Sequence, residues 1–290
     1  MRKPAARAFA AISTSFSGKA IPMRISRVLG TLFLGLAVCA SLEAQQLEKK
    51  KRKLLCIGDC KGFQHDSASH AMATLWKLGQ ESGMWDTYIR TDTEWLTKKK
   101  SNLGYNAKNI DFFDAVYFFT TGELDMDNEQ KAALLAFVRD DGKGFIGQHS
   151  ATDTFYQWPQ YGEMIGGYFD NHPWHRQVRI RVEDREFPAT KHLPASFEIF
   201  EEIYQFKSWS RDKCRVLLSL DVASVDLNNP VVRRTDKDFA LAWVKTYGKG
   251  RVFYNALGHR EEVIDRPDMQ KFMLEGVKWA TGLTPGGKSF

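Results

Sequence analysis

The apolar positions of this chain change period along its length, and the changes mark out alternating strands and helices. Lys53–Gly58 is a compact apolar run that reads as a first strand and ends in the polar loop 59–66. Ser67 is placed to cap a helix through Ser82, with Ala71, Leu75 and Leu78 at helical spacing and Gly83 as its stop. Asp86–Thr91 reads as a second strand. Ala115–Thr120 lacks the alternation of a half-exposed strand and predicts one buried on both faces. Asp127 caps a helix through Arg139, and Gly142 and Gly144 lead into a third buried run, Phe145–Gly147. Strand, helix, strand, helix, strand in that order predicts a single doubly wound α/β domain, its sheet mostly parallel, with helices on both faces.

The second half continues the alternation less cleanly. Gln177–Val182 has the pattern of an exposed strand and Arg215–Leu220 that of a buried one. Phe239–Thr246 and Arg251–Leu257 read as paired strands around the turn Tyr247-Gly248-Lys249-Gly250. Pro267–Thr281 is a closing helix that presents Met269, Phe272, Met273 and Val277 to the core. Irregular insertions are expected between about 150 and 235. With no internal repeat or low-complexity linker after Lys53, one domain is expected over residues 53–284.

Composition fits that picture: 43% apolar and 13% aromatic residues are enough for a sizeable core. The net charge of +6 would suggest nucleic acid, but its distribution excludes that reading. Residues 1–44 hold six basic residues and one acidic one, leaving 35 basic against 34 acidic beyond them. The tail Glu48–Lys53 carries +4, so residues 54–290 stand at −3. The leader itself reads as an export signal. Met23–Arg27 is a basic start, Val28–Ala40 an apolar stretch too short for a comfortable membrane span, and cleavage is expected after Ala44. Residues 1–22 then read as an upstream extension, 23–44 as the signal peptide and 45–52 as a basic tail. Export to the periplasm or beyond leaves no stable membrane span. Cys39, after Val38, is a poor lipoprotein site. The remaining Cys56, Cys60 and Cys214 form no disulfide framework or zinc-binding pattern, and Cys56 reads as a buried small hydrophobe.

Chemistry is expected where buried strands break into polar loops, at the carboxyl edge of the sheet. The segment Gly144–His175 is the strongest candidate: three histidines in a stretch dense in glycine and aromatic residues, directly after a strand. This segment also carries a family resemblance. Gly147-Gln148-His149-Ser150-Ala151-Thr152-Asp153 is similar to the ThuA-like family, named for trehalose utilisation. So are Gly166–Phe169 with His172-Pro173-Trp174, Pro188–Leu193, Glu202-Ile203-Tyr204, and Tyr247–Tyr254 running to Gly258-His259. The ordered set spans nearly all of residues 53–284. It implies a flavodoxin-like fold of the class I glutamine-amidotransferase type and a link to disaccharide and oxidised-sugar catabolism.

The likeness to amidotransferases fails at the nucleophile. In Gly147-Gln148-His149-Ser150-Ala151 a histidine stands where those enzymes carry cysteine, and no cysteine lies nearby, so glutamine hydrolysis is excluded. Ser150 lies one residue late for that role.

What remains is a set of histidines at strand ends. His65 follows the first strand, His149 the central one, and His259 the strand Arg251–Leu257. In a parallel sheet their loops converge, and three imidazoles with an open position are the ligand set of a catalytic divalent ion such as zinc. His149 and His259 are the catalytic candidates, with Glu262 (or Glu261) as base. Asp59, Ser150, Asp153 and His172 are candidate polar partners for a substrate. Tyr156, Trp158 and Trp174, with Phe155 and Tyr161, would form a sugar-stacking wall. Each has a plainer reading, as loop anchor or packing, and His70, inside a helix, reads as structural. Two functions compete. One is an exported enzyme cleaving or converting a disaccharide or keto-glycoside by histidine-based, metal-assisted chemistry. The other is a sugar-binding or partner-docking module that kept the fold without the reaction. A small carbohydrate is the expected partner in the first.

Overall fold

The computed structural model describes residues 50–100 and 108–285. The extension, signal peptide and Cys39, and the tail up to Lys49, lie outside the described residues. Among those described, no helix is long and apolar enough to cross a membrane. The strands are β1 Arg52–Ile57, β2 Trp85–Arg90, β3 Ala115–Phe118, β4 Gly144–Gln148, β5 Tyr168–Val182, β6 Ser196–Lys207, β7 Arg215–Leu220, β8 Ala240–Tyr247 and β9 Gly250–Asn255. The helices are α1 Ser67–Ser82, α2 Asn128–Arg139, α3 Pro159–Ile165, α4 Glu261–Ile264 and α5 Pro267–Ala280.

All nine strands join one sheet in the order β2-β1-β3-β4-β9-β8-β7-β5-β6. The first five in that order run parallel, in a flavodoxin-like arrangement. From β9 onward every pairing is antiparallel. The expected mostly parallel sheet is therefore corrected to a mixed one. The reason lies in the connections. Parallel neighbours need a crossover, which α1, α2 and α5 supply or cover, whereas the second half is joined by hairpins and loops. The β8–β9 hairpin turns on two residues, with Gly248 at φ 58, a left-handed conformation such turns require. Helices α1, α4 and α5 pack together, and α2 packs with α3, so the parallel half is covered on both faces.

The local signals explain the elements. β3 and β4 are buried at every position, as unmixed apolar runs predict. Asp127 accepts a hydrogen bond from the Gln130 N–H and donates its own N–H to the Gln130 side chain, a complete capping box. The α1 start differs from expectation. Ser67 is already helical, the cap position falls on Asp66, and neither side chain caps the helix. Gly83 ends it in the left-handed conformation at φ 65, its N–H on the Gly79 carbonyl.

The region expected to be irregular is the largest departure. After one short helix it forms the long hairpin β5–β6, whose register shifts between Phe169 and Trp174. Pro173, which cannot donate to a ladder, sits in that bulged stretch. The second half of β6 is buried from Glu201 to Phe206, and Phe206 meets Trp243 and Tyr254 at ring distances of 5.0 and 5.7 Å. This bend carries β6 back over the centre of the sheet, toward the carboxyl edge of β4 and β9.

Candidate metal centre

Because β1, β4 and β9 are parallel, their carboxyl ends open on the same edge of the sheet. The loop after β1 brings His65, the end of β4 brings His149, and the loop after β9 brings His259. Ring centroids lie 4.8 Å apart for His65–His149, 5.4 Å for His65–His259 and 5.2 Å for His149–His259. The bent β6 adds a fourth group. The Glu202 carboxylate lies 3.4 Å from His149 Nε2 and 3.2 Å from His259 Nδ1. One donor atom from each of His65, His149, Glu202 and His259 can be chosen so that all lie within 4.8 Å of one another. Tetrahedral zinc with bonds of about 2.0–2.2 Å holds its ligand atoms roughly 3.3–3.6 Å apart. The separations of 3.2–3.4 Å among His149, Glu202 and His259 already match that, and the widest separation in the cluster must close by about 1 Å.

His149 is the best defined of the set. It is fully buried and holds φ 45 at the step from β4 into a short 3-10 turn, His149–Thr152. A non-glycine residue there costs on the order of 1–3 kcal/mol and persists only where its surroundings over-determine it. They do so here. Its carbonyl accepts the Tyr254 hydroxyl at 2.7 Å, and its Nδ1 lies 2.8 Å from the Ala256 carbonyl. A carbonyl can only accept, so Nδ1 carries the proton and Nε2 of the neutral ring presents a lone pair. That lone pair faces the Tyr204 hydroxyl at 2.9 Å, His259 and Glu202. His65 adds a second sign of a missing partner. Its Nδ1 is buried with no hydrogen bond among the described residues.

The electrostatics keep the ligand set available. Burial, reinforced by His149 and His259, pushes the His65 pKa down to about 3, so its ring is neutral at ordinary pH. Burial likewise lowers His149, against the pull of Glu202 and the Ala256 carbonyl. His259 moves the other way, raised chiefly by its contact with Glu202. Burial works against the Glu202 carboxylate, but His149 and His259 outweigh it and hold the group below the usual range. Next to it, Glu201 is fully buried, and burial pushes its carboxyl up to about 7 although the N–H groups of Glu202 and Gly258 bond to it.

The cluster opens into a cavity of about 120 Å³. Of the residues expected to bind substrate, Asp153 and His172 line it. Asp153 accepts the Tyr156 hydroxyl at 2.5 Å, and burial raises its pKa. His172 stacks on Phe169 at 5.9 Å, and its Nδ1 lies 3.5 Å from Glu202. Tyr156 does not line the cavity, and its hydroxyl reaches two residues that do, the Asp153 carboxylate and the Phe169 carbonyl.

The other expected site residues are elsewhere. Trp158 packs between Phe155 and Tyr161, and Trp174 packs on Phe239 with its ring N–H on the Asp226 carbonyl, so neither forms a wall. Ser150 is buried beneath the turn, its hydroxyl without a partner among the described residues. Asp59 is buried to 9% exposure beside Lys61 and does not line the cavity. Glu262 points to solvent at 73% side-chain exposure and pairs with Arg260, since α4 turns it away from His259. His70 bonds Asp265 at 2.7 Å, tying α1 to the end of α4. Sequence reasoning assigned no role to Glu202, Glu201 or Tyr204; the motif Glu202-Ile203-Tyr204 was the only signal for the first and last, and Glu201 had none. From this burial, Trp158→Ala and Trp174→Ala are each expected to cost about 3–5 kcal/mol in chemical denaturation. A stability within 0.5 kcal/mol of the parent (roughly the range of surface substitutions) would return them to the surface.

Comparison with known proteins adds to this geometry. The family model described as ThuA, trehalose utilisation, matches residues 53–280. A ThuA-like protein of Bacteroides uniformis superposes at a TM-score of 0.63 with 23% identity, covering 80% of this chain and 92% of that one. A second, from Parabacteroides merdae, gives 0.61 and 18%, covering 82% and 93%. No curated protein matches the sequence.

Proposed function

This chain belongs to the ThuA (trehalose utilisation) family, and on that premise we propose that it is an enzyme cleaving or converting a disaccharide or keto-glycoside. The observation that carries the proposal is the convergence of four donor groups, of which His65, Glu202 and His259 line a cavity of about 120 Å³ and His149 is buried against them. A core needs no such cluster, and several titratable groups with shifted pKa values facing one cavity mark a reactive site.

In this reading the three imidazoles and the Glu202 carboxylate would hold a divalent ion with a fifth position left open, as manganese or five-coordinate zinc allows, and it would supply Lewis acidity toward a sugar carbonyl or hydroxyl oxygen. The chain's own residues do the rest. The Ala256 carbonyl fixes the His149 ring through its Nδ1–H, and the Tyr204 hydroxyl, 2.9 Å from Nε2, would give up that contact to the ion and turn toward the sugar. Asp153, across the cavity, exchanges a proton with the sugar, its raised pKa suiting it to give as well as take one. His172 supplies a hydrogen-bonding partner for a hydroxyl. The aromatic rings of Phe169 and Tyr204 give the cavity an apolar side that a sugar face can pack on.

The test is turnover of a panel of disaccharides and their keto forms. Activity should be present in protein loaded with zinc or manganese, fall to background after chelation, and return on adding the ion back. Turnover indifferent to chelation would contradict the metal. Absence of turnover with every sugar and ion, alongside retained sugar binding, would favour a binding module.

A further inference from the structure

We infer that the chain carries a second ligand site, in a cavity against α3, where Lys245 and Lys213 take the carboxylate group of a small organic acid. The inference is independent of the sugar reading, and this cavity shares no lining residue with the one at the ion cluster. It lies between α3, the start of β5, the segment after β6 and Lys245 of β8. In the β8–β9 hairpin Lys245 stands opposite Val252, toward the amino ends of the parallel strands, whereas the histidines stand past the carboxyl ends.

Lys245 carries the argument. It ends a run of buried residues, Ala240–Lys245, and is itself only 8% exposed. Packing alone would be met there by an apolar side chain. A buried ammonium needs acceptors for three N–H groups and an opposite charge nearby. Among the described residues Lys245 has one acceptor, the Glu163 main-chain carbonyl at 2.5 Å, and it forms no ion pair. Burial lowers its pKa, and the more distant Glu163 carboxylate offsets only part of that. Its neighbour Cys214 supplies no countercharge, because burial pushes that thiol up to about 11.

The rest of the lining suits a carboxylate. Lys213 and Ser208, both exposed, bring a second ammonium and a hydroxyl to the same cavity. Ser208 holds φ 56, a left-handed conformation that is costly for a non-glycine residue, and strain of this kind gathers at ligand sites. With the exposed Glu163 also lining the cavity, two positive groups face one negative group. That balance matches a monoanion better than a dianion such as phosphate or sulfate. An entering carboxylate would accept the N–H groups of Lys245 that have no partner, in charge-assisted bonds strengthened by the low local dielectric.

The test is calorimetric titration of the full-length protein with glycolate, and with sulfate as the dianion. The parent should bind glycolate more tightly than sulfate. Lys245→Met, which keeps much of the volume, should weaken glycolate about tenfold or more. Lys213→Ala, at an exposed position, should weaken it about two- to fivefold. Glu163→Gln keeps the main-chain carbonyl and should bring sulfate up to the affinity of glycolate. His149→Ala should leave glycolate binding unchanged, which separates this site from the ion cluster and its outcome from that of the sugar reading. No glycolate binding in the parent would overturn the inference, as would tighter binding of sulfate, or a loss in His149→Ala that Lys245→Met does not share. If Lys245→Met fails to fold, the two exposed positions decide: affinities unchanged in both Lys213→Ala and Glu163→Gln would overturn the site.

Discussion

Replacing His149 by alanine is expected to lower sugar turnover at least a hundredfold and to strip the bound ion, while the protein stays folded. The ring sits at the centre of the cluster. Its Nδ1 is tied to the Ala256 carbonyl, and its Nε2 faces Tyr204, Glu202 and His259 within 3.4 Å. Removing one member of an acid/base or ligand set costs on the order of 10²–10⁴ in rate. The stability cost is smaller, about 1–3 kcal/mol, because two hydrogen bonds go while alanine occupies the same left-handed backbone position. His70→Ala is the matching control, since His70 bonds only Asp265 and lies outside the cluster. Turnover in His149→Ala within a factor of three of the parent would remove it from the mechanism.

The second large effect concerns Glu201, which touches neither cavity nor cluster. One of its oxygens accepts the Glu202 N–H at 2.8 Å and the other the Gly258 N–H at 2.9 Å, all buried. It therefore ties the strand that carries Glu202 to the loop that carries His259. Glu201→Ala leaves two buried N–H groups without partners, each costing about 1–3 kcal/mol. Relief of a poorly solvated carboxyl offsets part of this, so a net loss of about 2 kcal/mol is expected in urea denaturation, with weaker retention of zinc. Glu201→Gln restores one acceptor and turns an amide N–H₂ toward the other donor, so it should fall between parent and alanine. Equal stability and zinc retention in all three would show that the two N–H groups find other partners.

The parallel half of the fold was legible because its central strands are buried on both faces, which makes β3, the Leu54–Ile57 part of β1 and the Phe145–Gly147 part of β4 apolar runs. Of the antiparallel half, β7, the β8–β9 hairpin and the end of β5 were legible too, while β6 and the start of β5 were not, and the residues they carry explain why. β6 carries Glu198, Glu201 and Glu202, which break the apolar alternation that would announce a strand. Two of these are buried, one in the cluster and the other anchoring a loop, so the pattern of a half-buried strand is hidden. β5 was obscured in the same way by Pro173 at its bulge and by His172 and His175. The convergence of His65, His149 and His259 could be read from strand ends alone, given a parallel centre. Trp158 and Trp174 could not be placed, since an aromatic residue in a loop-like segment fits a sugar wall and a core equally well until burial is known.

The central claim is that His65, His149, Glu202 and His259 form one ion site, and metal content tests it most directly. Protein purified without chelator and dialysed against metal-free buffer should retain about one divalent ion per chain by elemental analysis, and His65→Ala or Glu202→Ala should lose most of it. A parent that retains none, even after incubation with zinc or manganese, would contradict the account.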